Sequence, residues 1–135
     1  MGKKEIELIL KDLWTRVHRY ASSKSRHVPK LRIFVGCGSL SRARKRDPRI
    51  FFHVGHRPGV VCVHPDAHKL SVEHLVGLYL HEIGHPLAQR KWGVSEQVDA
   101  DRAVKEFLGV KLHYKGPLLL EWVPYSVAKR ILSVT

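Results

Sequence analysis

The chain has 135 residues, 44% of them hydrophobic, and 24 Lys and Arg against 12 Asp and Glu give it a formal net charge of +12. This length predicts a single domain over 1–135 that buries its own core. The apolar runs are shorter than the roughly 20 residues that cross a bilayer, so no membrane partner is expected. The start of the chain has no signal-peptide pattern. We therefore expect a cytoplasmic protein with reduced thiols at Cys37 and Cys62.

The first half of the chain is predicted to contain one helix and three strands. Apolar residues recur at helical spacing along 3–22, which predicts an amphipathic helix. Three later segments are rich in β-branched and aromatic residues, and we predict that they form a small mixed sheet. These segments are 31–35, 50–54 and 59–63.

A concentration of positive charge separates the first two predicted strands. Segment 41–49 holds five Lys or Arg residues and one Asp, and it is predicted to be a basic loop. Such charge attracts nucleic acid or an acidic partner through counterion release and long-range steering. The alternative is a solvated basic surface without a specific partner, because no recognised nucleic-acid-binding motif is present.

A helix with an unusual polar pattern is predicted after the third strand, with Ser71 as its N-cap. Residues 75–80 are apolar on every side, which is typical of a helix enclosed by protein. The sequence His81-Glu82-Ile83-Gly84-His85 follows directly. Histidines four residues apart on a helix have Cβ atoms about 5–6 Å apart, close enough to hold one zinc ion. Glu82 can reach a water on that metal, so it is the predicted general base.

The segment after this motif should supply a further ligand, because catalytic zinc takes three protein ligands and keeps one position open. Pro86 removes a helical hydrogen bond, which predicts a bend or an end of the helix. A second, acidic helix is predicted to begin near Ser95. Its Ala100 and Ala103 suit close approach to the first helix, and Glu96 would point toward the seam between the two.

These features resemble the gluzincin branch of the zincin metallopeptidases in its smallest single-domain form, the minigluzincins, over roughly 59–109. The resemblance implies a zincin-like α+β fold. Its parts are an N-terminal backing helix, a small mixed sheet of about three strands, the HExxH helix, a glutamate helix and short C-terminal elements. It also implies one catalytic Zn²⁺ held by His81, His85 and Glu96, with Asp99 as the runner-up and Glu82 as the base.

The spacing of the acidic helix leaves an alternative open. Gluzincins commonly show Glu-x-x-x-Asp, with the Asp behind the zinc ligands. Aligning this pattern on Asp101 places Gln97, a poor zinc ligand, at the ligand position. The family also places a His or Tyr near the oxyanion, and His113 and Tyr114 are the candidates. Its substrates are extended peptides or proteins that pair with an edge strand, for which 60–64 is the candidate.

The C-terminal quarter is predicted to hold short elements that pack on the core. A short strand is predicted over 109–114, an apolar segment over 117–123 and a final helix over 124–134.

Three hypotheses about function follow. The first is zinc-dependent peptide-bond hydrolysis by a metalloendopeptidase. The second is a zincin-fold regulatory or latent metalloprotein with restricted or no turnover. The third is a basic nucleic-acid-binding protein whose histidines are incidental, and it predicts no stoichiometric metal.

Overall fold

The chain is an α+β protein. In the computed structural model the described residues are 2–26, 28–36, 38–47, 50, 52–54, 60–117 and 119–134, with backbone alone for 38–41 and 52–54. The helices in this part of the chain are α1 (Lys3–Lys24), α2 (Gly38–Arg46), α3 (Val72–Trp92), α4 (Gln97–Leu108) and α5 (Tyr125–Leu132). The strands are β1 (Arg32–Val35), β2 (Phe52–Val54), β3 (Val60–Val63), β4 (His113–Lys115) and β5 (Leu120–Trp122). A 3-10 turn, Pro65–Lys69, connects β3 to α3.

The first three strands form the predicted small mixed sheet, in the order β1-β3-β2. β3 pairs in parallel with β1 and antiparallel with β2, so it is the central strand. The expectation that 60–64 forms an edge strand is therefore wrong. Val61, Cys62 and Val63 are almost fully buried, as expected for a strand that is covered on both faces. The edges of this sheet are β1 and β2.

The basic segment 41–49 is not a loop, because most of it lies in α2. Arg, Lys and Ala favour helix, and cations in the last turn of a helix interact well with its dipole. Arg44 ties this helix to the 3-10 turn by donating a hydrogen bond of 3.0 Å to Asp66 Oδ2. Positions 37, 48, 49, 51, 59 and 118, which also belonged to predicted segments, lie outside the described residues.

Cys62 takes part in a disulfide, so the expectation of a reduced thiol is wrong for this residue. Disulfides persist mainly in oxidising compartments. The cytoplasmic expectation therefore gains no support from Cys62. Among the described helices, none combines the length and the apolar character that a membrane span requires.

The N-terminal helix α1 backs the two helices that follow the sheet, as predicted. Its buried residues include Leu10, Trp14 and Tyr20. The Tyr79 hydroxyl of α3 donates to the Leu10 carbonyl at 2.9 Å, and the Trp14 ring meets the Tyr79 ring edge-on. The Tyr20 hydroxyl donates to the Leu108 carbonyl at the end of α4, at 2.8 Å. These hydrogen bonds satisfy polar groups inside the core and fix α1 against both helices.

The helix α3 is enclosed over its middle, since every residue from 75 to 84 is buried. The Ser71 side chain caps its start by accepting a hydrogen bond from the His74 N–H. Of the two predicted effects of Pro86, a bend or an end of the helix, the end is wrong, because α3 continues to Trp92. It ends at Gly93, whose φ of 71° is a left-handed conformation that glycine adopts at low cost.

The C-terminal segment forms a hairpin against α3 and then a helix. The predicted strand over 109–114 is shorter and later, as β4, and it pairs antiparallel with β5. A Cβ on Gly77 would lie 2.8 Å from the backbone of Glu121 and Trp122, so only glycine permits this contact. The predicted final helix is present as α5, and its Ala128 and Ile131 are buried in the core.

Candidate metal centre

The site is built where α3 and α4 touch most closely. A Cβ on Gly84 would lie 2.3 Å from the Ala100 carbonyl oxygen, so the glycine between the two histidines lets α4 lie directly against α3. The expectation that Ala100 suits a close approach is confirmed. This packing brings the first residue of α4, Gln97, over the histidine-bearing face of α3.

Three side-chain atoms converge at this seam. The Nε2 atoms of His81 and His85 lie 3.2 Å apart. The Gln97 Oε1 atom lies 2.5 Å from His81 Nε2 and 3.0 Å from His85 Nε2. His81 is 3% exposed, whereas Gln97 lies at the surface, so the group has a closed side and an open side.

The other nitrogen of each ring fixes which atom carries the proton. His81 Nδ1 lies 2.7 Å from Asp101 Oδ1, a carboxylate oxygen that accepts its N–H. His85 Nδ1 lies 2.8 Å from Ser95 Oγ and 3.2 Å from the Ser95 carbonyl oxygen, which also accept an N–H. With neutral rings, each Nε2 then presents a lone pair. Gln97 Oε1 is also an acceptor, so in this orientation of the amide three lone pairs face one another, and a cation or a proton between them would satisfy all three.

Two of the three spacings fit a small divalent ion, and the donor set fits it less well. A tetrahedral ion with bonds of roughly 2.0–2.1 Å has ligand atoms about 3.3–3.4 Å apart. The separations of 3.2 and 3.0 Å are close to this value, whereas the 2.5 Å between Gln97 Oε1 and His81 Nε2 is shorter and is the distance of a direct hydrogen bond. Imidazole suits zinc and its neighbours, whereas an amide oxygen is neutral and binds zinc weakly. In the described chain, no three His, Cys, Asp or Glu side chains are grouped to hold a metal, and the third member here is an amide.

Three carboxylates lie around His81. Besides Asp101, Glu121 Oε1 lies 3.7 Å from His81 Nδ1, and Glu82 is its neighbour in the chain. Among the described residues, no Lys or Arg forms an ion pair with any of these three acids, although the chain has 24 Lys and Arg. Burial would lower the pKa of His81, but Asp101, Glu121 and Glu82 outweigh it and raise that pKa to about 9.

His85 has a different environment. Burial lowers its pKa, and the charge of His81 lowers it further. Its Nδ1–H is held by Ser95, a neutral residue that also donates its hydroxyl to the His85 carbonyl at 3.2 Å. His85 therefore remains neutral near pH 7, which is the form that can bind a metal.

Glu82 faces a small cavity beside His85. The cavity has a volume of about 210 Å³. Leu31, Val61 and Pro86 form its apolar walls, and its polar lining is Glu82, His85, Gln89 and Ser95. Burial raises the pKa of Glu82 to about 7, while the charge of His81 opposes that shift. A carboxylate with a pKa near neutrality can both accept and donate a proton at physiological pH.

Two proposed ligands do not reach the histidines. Glu96 is the exposed N-cap residue of α4, one position before Gln97, and one residue on a helix corresponds to a rotation of roughly 100°. Asp99 is held at the start of α4, where its carboxylate accepts the Glu96 N–H at 3.0 Å. Gln97 occupies the position that Glu96 was expected to fill. This is the position that the alternative alignment on Asp101 gives to Gln97.

The two oxyanion candidates also lie away from the converging atoms. The Tyr114 hydroxyl donates to Asp101 Oδ2, behind His81 and on the side opposite its Nε2. His113 is exposed, and its ring lies against Trp122. Tyr114 thus braces Asp101, and Asp101 lies behind His81 as the resemblance implied.

Sequence reasoning missed Ser95 and Glu121 as parts of this site. Ser95 appeared to be an ordinary helix start, and its proximity to His85 follows from the turn after Gly93. Glu121 is 40 residues from His81 and gives no local signal, except that it is an acid inside an apolar segment. Comparisons of the chain with protein-family models, curated proteins and solved structures find no match.

Proposed function

We propose that this protein is a small metal-dependent peptidase of the zincin type, with His81, His85 and Gln97 as the groups that hold a divalent cation. The observation that carries the proposal is the convergence of three lone-pair atoms within 2.5–3.2 Å of one another. The three carboxylates around His81, which form no ion pair with a Lys or Arg among the described residues, also support it. Without a metal, the proton on His81 satisfies both features, and one divalent cation would take the place of that proton.

Each side chain then has a definite task. A zinc ion bound at these atoms would polarise the carbonyl of the scissile bond and lower the pKa of water. Glu82 takes the proton from the attacking water and later gives it to the leaving nitrogen. Asp101 holds the Nδ1–H of His81, and Ser95 holds that of His85, so that both Nε2 atoms keep their lone pairs toward the centre.

The fold supports a peptide substrate. The order of a backing helix, a small mixed sheet and two site helices is the order that the resemblance to gluzincins implies. A peptide that pairs with the sheet must use β1 or β2, because β3 is paired on both sides. The cavity beside Glu82 has room for one aliphatic side chain.

Gln97 favours a second candidate function, a metal-binding regulator with little turnover. A Glu at this position would add a negative charge to the cation, whereas the amide adds none. The bound ion would then be held more weakly. The two candidates differ in the rate of hydrolysis at full metal occupancy.

Metal content and hydrolysis of an unfolded protein substrate test the proposal together. We expect one zinc per chain in the wild type and in Glu82→Gln, and none in His81→Ala. Hydrolysis should fall by about 10²–10⁴-fold in Glu82→Gln, the usual contribution of a general base. Glu106→Gln removes the same charge at an exposed position of α4 and should change neither quantity.

The outcomes separate the hypotheses. Stoichiometric zinc without hydrolysis would favour the regulator. Full hydrolysis by Glu82→Gln would contradict the role of this carboxylate. Absence of stoichiometric zinc, with tight binding to nucleic acid that weakens steeply with salt, would replace both candidates by the nucleic-acid-binding hypothesis.

A further inference from the structure

Glu121 lies close to the metal centre without facing the atoms that would hold the metal. Its Oε1 atom is 3.7 Å from His81 Nδ1, on the same side of the ring as Asp101. Its side chain is 15% exposed. A carboxylate this enclosed loses most of its hydration, so its place beside an imidazole must be compensated electrostatically.

The backbone holds Glu121 in this place. The Glu121 carbonyl accepts a hydrogen bond from His74 Nδ1 at 3.0 Å, about two helical turns before His81 on α3. Gly77 lets the same peptide unit touch the helix. Tyr114, directly opposite Glu121 in the hairpin, donates to Asp101. One face of the hairpin therefore delivers two side chains to the back of His81.

The charge count at the centre shows what Glu121 contributes. The three converging groups, two imidazoles and an amide, are neutral, so a divalent ion would receive no negative charge from the atoms that touch it. The negative charges lie behind His81, on Asp101 and Glu121. An imidazole whose Nδ1–H faces a carboxylate is a more basic ligand at its Nε2.

We propose that Glu121 is a positioning residue of the metal centre, whose charge replaces the charge that Gln97 lacks. This inference depends on the proposed metal site and adds a residue that acts through His81. It predicts an energetic coupling between Glu121 and position 97, because a carboxylate at position 97 would make the charge of Glu121 dispensable.

A double-mutant cycle on zinc affinity tests the coupling. Affinity is measured by competition with a chromogenic chelator for the wild type, Glu121→Gln, Gln97→Glu and the double variant, all full-length. Glu121→Gln should weaken zinc binding by about 10–100-fold, as loss of an outer partner of a ligating histidine does. Gln97→Glu should strengthen it by at least about tenfold. In the Gln97→Glu background, Glu121→Gln should cost less than about threefold.

Controls separate a charge effect from damage to the hairpin. Thermal unfolding of the metal-free variants shows whether Glu121→Gln disturbs the fold, and a structural role would weaken binding equally in both backgrounds. Glu106→Gln changes the net charge of the protein equally, away from His81, and should leave the affinity unchanged. The proposal is overturned if Glu121→Gln binds zinc like the wild type, or if its loss is equal with Gln and with Glu at position 97. Failure of the wild type to bind zinc would instead refute the metal site itself.

Discussion

The two histidines of the motif occupy contrasting environments, although they lie one turn apart on the same helix. His81 is 3% exposed and has two carboxylates at its Nδ1, whereas half-buried His85 has a serine there. The pKa of His81 is raised to about 9 and that of His85 is lowered. Identical residue types at equivalent helical positions thus acquire opposite electrostatic roles.

This difference shows how the charges of the centre are arranged. His81 carries the positive charge when no metal is bound, because only a proton can then relieve the carboxylates behind it. His85 stays neutral and keeps its lone pair available at the open side, next to Gln97. To hold a metal, His81 would first have to lose this proton, whereas His85 already has the neutral form that can bind one.

The largest effect is expected from substitution of Gly84, because its contact with Ala100 positions the groups around both histidines. Gly84→Ala places a Cβ 2.3 Å from the Ala100 carbonyl oxygen, so α4 must move and carry Gln97, Asp101 and Ser95 with it. We expect zinc affinity to fall by more than about 100-fold, and the free energy of unfolding to fall by about 1–3 kcal/mol, the usual cost of overpacking. Chelator competition and chemical denaturation measure the two quantities. Gly2→Ala, where nothing lies within 4 Å of the new Cβ, is the control. Wild-type affinity in Gly84→Ala would show that α4 does not take part.

Smaller effects, unequal in size, are expected from substitution of Asp101 and Ser95, which accept the Nδ1–H of His81 and His85. Asp101→Asn removes a charged acceptor from His81 and should weaken zinc binding by about 10–100-fold. Ser95→Ala should cost less than about tenfold, because the Ser95 carbonyl at 3.2 Å still accepts the His85 N–H. The same competition assay compares them, and equal losses would remove the contrast between the histidines.

The last prediction concerns the change of zinc affinity per pH unit. Zinc must displace the proton on His81, whose pKa is about 9, so affinity should increase with pH by up to about tenfold per unit until that value is reached. The sign is that of a group whose folded pKa is raised, because protonation competes with the metal below pH 9. Affinity measured at pH 6.5, 7.5 and 8.5 would test this, and a flat profile above pH 6.5 would show that His81 is already neutral.

The centre of the molecule could be predicted from the sequence because its signals are local. An apolar segment that turns into His-Glu-x-x-His, with a serine at the N-cap, identifies α3 and its three polar residues. The periodic stripe over 3–22 likewise gives α1. Pro86 was misleading about the end of the helix, because Leu87 and Ala88 are fully buried on the continuing helix and their burial offsets part of the cost of the proline.

The third position of the centre could not be predicted, for a reason that the structure makes specific. Ser95 is a favourable N-cap residue, and a helix that began there would shift the register of the next residues. Its hydroxyl is used by His85 instead, so Glu96 becomes the N-cap and Gln97 faces the histidines. A displacement of one residue exchanges a carboxylate for an amide. The place of Glu121 depends on hairpin packing, which no local pattern contains.

Gly77 has a consequence for how this protein is made. Glu121, in the hairpin that contacts Gly77, is synthesised 40 residues after His81, so the motif is made well before the acid that lies behind it. At the usual speed of translation, about 5–20 residues per second, that interval is several seconds. During this time the nascent chain carries His81, His85 and Gln97 but not yet Glu121. The charges around the centre are thus complete only after the C-terminal hairpin has been synthesised.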